Sequence, residues 1–299
     1  MKKFTKVMAL AVSAAMLTCV PVSAAETLTF GTNPEFPPFE FITAEGVIDT
    51  FDGIDMAIAK QIAEENDMEV KMESMEFDSL LVALQNGQVD AVIAGMTVTE
   101  DRKEAVDFST PYYTATQVMI VKEDSDIEKA EDMADKKICV IQGYTGETCV
   151  NELGYDYEAF KKGTEAVMEL VNGKCDVVVL DSATAQQYVN DNEGLKIVED
   201  PDAFESEEYA IAVKKGNTEL LDKINTAIET MLEDGTISEL AAQYAEADTE
   251  EAAEETEEDA ADDAAEETEE DAAEDAADDA AEETADEAAE EDSAEEEAE

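Results

Sequence analysis

Arg102 is well suited to holding an anion, and it is the only arginine in the chain. A guanidinium grips a carboxylate with two parallel hydrogen bonds, which a lysine ammonium cannot do. The residue lies in the stretch MTVTEDRKEA, where Thr99 has the residue type of a helix N-cap. A cation near a helix N-terminus opposes the helix dipole, so local helix stability does not explain its position. Arg102 is therefore a candidate carboxylate clamp, and a surface ion pair with Glu100, Asp101 or Glu104 is the alternative.

Asp181 is the matching candidate for binding a cation. It follows the stretch CDVVVL, which predicts a buried strand that ends at this carboxylate. A carboxylate in that position can receive an ammonium group. The alternative role is a helix N-cap, because the helical stretch SATAQQYVND begins directly after Asp181.

Two further stretches have side chains or backbone groups that can contact a ligand. VIQGYTGETCV predicts a strand, a glycine-bearing turn at Gly143 to Gly146 and a helix start, where free N–H groups favour an anion. An ordinary tight turn is the alternative. The loop NPEFPPFEF is stiffened by prolines and contains Phe36 and Phe39. We expect one of these two rings in the core and the other against a ligand.

The composition excludes several classes of function. The chain has 299 residues, with 79 acidic and 18 basic side chains and a formal net charge of −61. Such an acidic surface repels nucleic acids, so we expect no nucleic-acid partner. The chain has no histidine, which removes the usual zinc sites and every Ser-His or Cys-His nucleophile. We expect no metal and no cofactor.

Residues 1–25 are predicted to be an export signal. Three lysines precede the apolar run VMALAVSAAMLTCV, and small residues follow it. The alternatives are an N-terminal membrane anchor and a lipidated Cys19. Three cysteines then remain, Cys139, Cys149 and Cys175; an odd number leaves at least one free thiol or an intermolecular bond. Cys139 lies in an apolar strand pattern and is expected to be buried; a Cys139–Cys149 bridge is left open.

The middle of the chain alternates strand and helix patterns, which predicts an α/β fold with mainly parallel sheets. Its length and two similar strand series favour two small lobes over one large sheet. SLLVALQNGQVDAVIAG and EAVMELVNGKCDVVVLD share one form: a helix, an NG stop, an Asp and a buried strand. Ligands of such sheets lie beyond the carboxyl ends of the strands, so both strand ends should face one cleft. Residues 247–299 form a cation-free Ala/Glu/Asp tail that is predicted to be disordered.

These motifs together resemble the family-3 extracellular solute-binding proteins, the polar amino-acid receptors of ABC importers. The resemblance covers residues 27–246 and implies the two-lobed periplasmic-binding-protein type II (Venus-flytrap) fold. It implies that lobe 1 comprises 26–112 and 212–246, and that lobe 2 comprises 113–211. The two hinge strands would run through 112–116 and 207–211. The motifs are GTNPEFPPFEF, FDGIDMAIAKQIA, MEFDSLLVALQNGQVDAVIAGMTVTEDRKEAVDFSTPYY, VIQGYTGET, GKCDVVVLD and YAIAVKKGN.

The resemblance also implies roles for individual residues. Arg102 would grip the ligand carboxylate, helped by Thr97 and by Thr145 on the other lobe. Asp181 would take the ligand ammonium together with the Thr97 hydroxyl and a backbone carbonyl. The remaining implied contacts are that carbonyl, at Ala94 or Gly95, and two rings that flank the ligand side chain, Phe36 and Phe77.

Three positions depart from the pattern of relatives that bind cationic amino acids. Asn33 stands where those relatives often have Asp, and Ile141 and Leu180 occupy positions that the resemblance implies face the pocket and that are frequently polar. We therefore expect an uncharged L-amino acid as ligand. The implied partner is the membrane permease of an ABC importer. The implied location is the periplasm or the outer cell surface, and we expect a monomer.

The same fold also hosts enzymes, so the alternative function is a dehydratase-like activity on a small carboxylic acid. An enzyme would need an acid or base in the cleft beyond the clamp. Glu35 and Glu76 are the only nearby acids in the sequence, and both are expected to face solvent. A binding protein without catalytic activity is the favoured interpretation.

Overall fold

The computed structural model describes residues 25–245 of the chain. The predicted export signal, apart from residue 25, lies outside the described residues, and so does the predicted acidic tail. Thirteen strands and seven helices are named here in chain order. The strands are β1 Thr27–Thr32, β2 Phe41–Ile42, β3 Phe51–Asp52, β4 Glu69–Ser74, β5 Ala91–Val92, β6 Val106–Phe108, β7 Tyr113–Lys122, β8 Ile138–Ile141, β9 Tyr157–Phe160, β10 Val177–Asp181, β11 Leu195–Val198, β12 Ser206–Tyr209 and β13 Ala212–Lys214. The helices are α1 Ile54–Glu65, α2 Leu80–Gln85, α3 Glu100–Ala105, α4 Thr145–Leu153, α5 Gly163–Val171, α6 Ser182–Asn190 and α7 Thr218–Asp234.

The strands form two main sheets, one in each lobe of a mixed α/β fold. The first sheet has the order β4-β1-β5-β13-β6, and the second has the order β11-β7-β10-β8-β9. β1 pairs in parallel with β4 and β5, and β8 pairs in parallel with β9 and β10. β13 and β7 run antiparallel to their neighbours, because the chain crosses between the lobes through these regions.

The long strand β7 joins the two lobes. Its last four residues pair with β11, and its first four pair with β12, with Tyr113 opposite Tyr209 and Thr116 opposite Ser206. This antiparallel ladder lies where the sequence predicts the hinge. We propose that these paired segments bend when the lobes open, because two strands are the only covalent route between the sheets in residues 25–245.

The two similar helix–strand units occupy equivalent places in the two sheets. α2 precedes Gly87 (φ +71°), and α5 precedes Gly173 (φ +67°). Only glycine adopts this left-handed conformation without strain, so each NG pair ends its helix as predicted. The strands that follow, β5 and β10, are central in their sheets. Their carboxyl ends therefore point toward the same region between the lobes.

Amphipathic helices cover both sheets. In α1, Ile54, Ile58 and Ile62 recur at the spacing of one helix face and are buried, as the sequence pattern predicts. Cys139 and Cys175 are buried and Cys149 is partly buried, and all three thiols are free. The Cys139–Cys149 bridge that the sequence left open is therefore not formed. Within residues 25–245, no helix combines the length and the apolar character needed to cross a bilayer.

Candidate functional site

A small cavity lies between the lobes, beyond the carboxyl ends of β5 and β10. It has a volume of about 10 Å³, which is about the space that one water molecule needs. Eight of the eleven site residues predicted from the sequence line it, together with Tyr144. The lining residues are Phe36, Phe77, Ala94, Gly95, Thr97, Arg102, Tyr144, Thr145 and Asp181.

Arg102 enters the cavity from the start of α3. Thr99 caps this helix, accepting a hydrogen bond from the backbone N–H of Arg102 at 3.2 Å, as its residue type predicts. The guanidinium donates from Nη1 to the Thr97 carbonyl (2.8 Å) and from Nη2 to the Gly143 carbonyl (3.0 Å). Glu100 pairs instead with Lys103 at 2.9 Å. The surface ion pair that was the alternative role of Arg102 is therefore not what the structure has.

Burial and two neighbouring acids act on the pKa of Arg102. Burial lowers its pKa from the ordinary value, and the carboxylates of Glu207 and Asp181 act in the opposite direction. An arginine keeps its proton at neutral pH even under such influences. The cavity therefore holds a permanent positive charge that faces an acidic pair.

Asp181 ends β10 and is 3% exposed. It occupies the N-cap position of α6, but its side chain makes no capping hydrogen bond. The carboxylate instead accepts a hydrogen bond from the Tyr209 hydroxyl. Burial, and then the charge of Glu207, raises the pKa of Asp181 to about 7. Near neutral pH this group is balanced between the carboxylic acid and the carboxylate, so a cation placed beside it would favour the carboxylate.

A second carboxylate, Glu207 of β12, lies against the cavity wall. It accepts hydrogen bonds from the hydroxyls of Thr97 (2.9 Å) and Thr145 (2.7 Å) and from the amide of Gln117 (3.4 Å). Thr97 follows the first-lobe strand β5, and Thr145 begins α4 in the second lobe. Glu207 therefore links the two lobes through a pair of hydroxyl groups.

Three rings form the apolar wall of the cavity. Tyr144 lies edge-on to Phe36 with centroids 5.3 Å apart, and it is 4.5 Å from Phe77. The Arg102 guanidinium lies over the Phe77 ring, 5.2 Å from its centroid. Phe36 is 2% exposed and Phe39 is fully buried behind it. Of the two loop phenylalanines, Phe36 lines the cavity and Phe39 does not.

Three predicted site residues do not line the cavity. Ile141 and Leu180, each 1% exposed, pack in the hydrophobic core. This differs from the implied pocket-facing positions. Successive strand residues point to opposite faces, so Leu180 points away from the cavity that its neighbour Asp181 lines. Ile141 ends β8 and packs in the same core cluster as Leu180. The Asn33 side chain is hydrogen-bonded behind the residues that line the cavity. Its amide donates to the Met75 carbonyl (3.1 Å) and accepts from the Tyr144 hydroxyl (3.1 Å).

The two acids that an enzyme could have used are held in ion pairs across the cleft. Glu35 pairs with Lys162 at 2.6 Å, and Glu76 pairs with Lys161 at 3.7 Å. Neither is among the residues that line the cavity. Among residues 25–245, no group of three or more acidic or cysteine side chains is arranged to hold a metal ion.

A buried acid pair supports the cavity from behind. Asp55 accepts hydrogen bonds from the backbone N–H of Gly95 (2.8 Å) and from the Tyr112 hydroxyl (3.0 Å). Glu40 is close enough to Asp55 for each to act on the other's ionisation, and both are fully buried. Burial raises the pKa of Asp55 to about 6, and burial together with Asp55 raises the pKa of Glu40 well above its ordinary value. The pair fixes the strand end at Gly95.

Sequence reasoning missed five residues that shape this site. Glu207 and Tyr209 lie in the segment that was predicted only as hinge, and their spacing of two places both on one face of β12. That alternation is the signal that could have identified them. Gln117 and the Glu40–Asp55 pair have no comparable signal, because their roles depend on which elements pack together.

Comparisons with known proteins show the family of this chain. Residues 28–247 match the model of "Bacterial extracellular solute-binding proteins, family 3". The chain is 35% identical over 219 residues to the "Probable histidine-binding protein" of Neisseria gonorrhoeae, covering 71% of this chain and 80% of that one. It is 32% identical over 206 residues to the "ABC transporter glutamine-binding protein GlnH" of Bacillus subtilis, covering 67% and 75%.

A solved structure supports the same assignment. "An ancestral arginine-binding protein bound to glutamine" has a TM-score of 0.68 and 42% identity, covering 74% of this chain and 99% of that one. The two sequence relatives and this structure are all amino-acid-binding proteins, and none of the three is an enzyme. The chain therefore belongs to the bacterial extracellular solute-binding proteins, family 3, and is an amino-acid-binding component of ABC transport rather than an enzyme.

Proposed function

We propose that this protein captures one free, uncharged L-amino acid between its lobes and delivers it to the permease of an ABC importer. The observation that carries the proposal is the pairing of one guanidinium, Arg102, with one carboxylate, Asp181, in the lining of a single cavity. An amino acid presents one carboxylate and one ammonium a short distance apart. The pair can neutralise both ends of such a zwitterion.

Hydrogen-bond donors and acceptors around the two charges support this role. Thr97 and Thr145 stand beside the guanidinium, and the strand end at Ala94 and Gly95 offers backbone carbonyls near the carboxylate. We propose that Arg102 grips the ligand carboxylate, with Thr97 and Thr145 assisting. Asp181 and a strand-end carbonyl would then hold the ammonium.

The wall of the cavity supports an uncharged ligand side chain. Phe36, Phe77 and Tyr144 supply aromatic surface, and Asp181 is the only acid among the lining residues. A cationic side chain would need an acid besides Asp181, and Glu207 at the cavity wall already accepts hydrogen bonds from two threonine hydroxyls. The rim acids Glu35 and Glu76 are already paired with lysines, so they are poorly placed to serve it. Relatives are named for both basic and neutral amino acids, which leaves the choice to the pocket itself.

Entry of a ligand requires the lobes to separate. A cavity of about 10 Å³ is far smaller than an amino acid. We propose opening at the β7–β12 ladder, with closure around the ligand as the signal that a permease reads. Export through residues 1–25 and a monomeric state complete the proposal. Cell fractionation with N-terminal sequencing tests the first, and light scattering of the purified protein tests the second.

A panel of the free L-amino acids, titrated by isothermal calorimetry, tests the ligand class. We expect one or a few uncharged amino acids to bind and lysine and arginine to bind at least tenfold more weakly. Exclusive binding of dibasic amino acids would overturn the uncharged assignment while leaving the receptor role intact. Mass spectrometry of small molecules that co-purify with the protein provides an independent identification.

A further inference from the structure

Glu207 occupies the hydrogen-bond donors that a ligand carboxylate would use. The Thr145 hydroxyl lies 2.7 Å from Glu207 Oε2, and the Thr97 hydroxyl lies 2.9 Å from the same oxygen. Each hydroxyl carries a single proton and can donate only one hydrogen bond at a time. Both protons are therefore directed to Glu207, and neither hydroxyl can donate to a second carboxylate unless Glu207 gives it up.

The charges around Glu207 point in the same direction. Glu207 is close enough to Arg102 and to Asp181 to influence the ionisation of both groups. It therefore lies within electrostatic range of both charges proposed to hold the zwitterion. A ligand carboxylate placed against Arg102, Thr97 and Thr145 would have a like charge next to it, and juxtaposed like charges oppose binding.

We propose that Glu207 is an internal competitor for the ligand carboxylate: it holds Thr97 and Thr145 and must release them before the ligand is gripped. The inference rests on the proposed amino-acid binding at this site, and it adds an affinity-setting residue to it. Because Thr97 and Thr145 belong to different lobes, the same carboxylate also fastens the lobes together. Glu207 thus lowers ligand affinity and holds the cleft shut by one set of contacts.

The neighbouring residue Glu208 provides a matched control. It lies on the same strand, β12, but is exposed and alternates to the opposite face. Glu207→Gln keeps the shape of the side chain and removes its charge, whereas Glu208→Gln removes a charge that does not face the cavity. Both variants change the net charge of the protein by the same amount, so a general electrostatic effect would appear in both.

Calorimetry with two ligands tests the competition. The probes are the amino acid that binds wild type most tightly in the panel and its C-terminal amide, which keeps the ammonium but lacks the carboxylate. Glu207→Gln should tighten the dissociation constant of the free amino acid by about tenfold or more and should leave that of the amide within about threefold. Glu208→Gln should change neither. Weaker binding of both probes to Glu207→Gln would overturn the proposal and would assign Glu207 to the ammonium instead.

Small-angle X-ray scattering of protein without added amino acid tests the lobe contact and needs no ligand. Glu207→Ala should have a larger radius of gyration than wild type and Glu208→Ala, and an unchanged radius would overturn the fastening role. If wild type binds no amino acid, the proposed function fails, yet this measurement still decides whether Glu207 joins the lobes. Glu207→Asp, which retracts the charge by one methylene, repeats the scattering test should the alanine variant fail to fold.

Discussion

The guanidinium of Arg102 lies between the ring of Phe77, 5.2 Å away, and the carbonyl oxygen of Gly143, which accepts a hydrogen bond at 3.0 Å. Phe77 belongs to the first lobe and Gly143 to the second, so one side chain touches both walls of the cleft. A planar, delocalised cation can stack on a ring and donate in its own plane at the same time. A lysine ammonium has neither the plane that stacks on the ring nor the parallel pair of donors.

The first prediction concerns Arg102. Arg102→Ala should weaken binding of the amino acid by two orders of magnitude or more, because a buried charged pair left half-made costs about 3 to 5 kcal/mol. Arg102→Lys should recover only part of the loss, since it restores the charge but not the planar fork. Calorimetry measures both variants, with the exposed neighbour Lys103→Ala as control. An affinity for Arg102→Lys equal to wild type would show that shape plays no part.

The second prediction is a pH dependence centred on Asp181, whose pKa is raised to about 7 by burial and by Glu207. The ligand ammonium needs the carboxylate, so binding should be strongest above pH 7 and weaken as the carboxylate is protonated. The expected loss is about tenfold per pH unit below 7. Dissociation constants measured by calorimetry at pH 5, 6, 7 and 8 give the profile. A flat profile over this range would contradict the assigned role.

Asp181→Asn supplies the stability side of the same argument. A raised pKa means that the folded state binds the proton more tightly than the unfolded state, whose Asp has a pKa of about 3.9. The stabilisation is full below pH 4 and is lost as the pH rises through about 7. Without ligand, Asp181→Asn should therefore melt at a higher temperature than wild type at pH 8, and its free energy of unfolding should be higher by up to a few kcal/mol. This gain should shrink toward pH 4. The asparagine oxygen can still accept from Tyr209, so the comparison isolates the charge.

Part of this site is predictable from the sequence because it depends on local features. Thr99 caps α3, and the NG pairs end α2 and α5, through contacts within a few residues. Asp181 could be placed at the cleft because it ends a central strand, where ligands of α/β sheets bind. Such signals depend only on the spacing of apolar residues along the sequence and on the residue types at its turns.

The remainder depends on packing that no local pattern encodes. Ile141 and Leu180 were expected to face the pocket, yet a shift of one residue along a strand reverses the face that a side chain points to. Glu207 reaches Thr97 and Thr145 across sequence separations of 110 and 62 residues. The residue types of Glu40 and Asp55 alone would place both outside the core, because isolated buried acids are costly. Their partners become visible only in three dimensions.

The third prediction tests whether that acid pair shares a proton. Three of its buried oxygens, both of Glu40 and Oδ1 of Asp55, have no donor among residues 25–245. A proton on Glu40 would satisfy Asp55, so Glu40→Gln should change the free energy of unfolding by less than about 1 kcal/mol, because its amide also donates. Asp55→Ala should lower it by roughly 2 to 6 kcal/mol, since Gly95 and Tyr112 would lose their acceptor.

Urea denaturation at pH 7 measures both variants, and Glu64→Gln serves as the control because that residue is exposed on the same helix as Asp55. Equal damage from Glu40→Gln and Asp55→Ala would mean that Glu40 is ionised and held by some other donor. A change in ligand affinity for Asp55→Ala beyond its loss of stability would indicate that the pair also positions Gly95 for the ligand.

The fourth prediction concerns the acidic segment Glu251–Glu299, which lies outside the described residues. Truncation after residue 250 should leave the dissociation constant of an uncharged amino acid within about twofold of wild type. A zwitterion has no net charge, so the field of the acidic segment does little net work on it, and salt screens that field within about 8 Å. Calorimetry at low and at physiological ionic strength measures the full-length and truncated proteins side by side. A cationic ligand would behave differently: truncation would weaken its binding at low salt, and this weakening would disappear as salt is added, which would contradict the uncharged assignment.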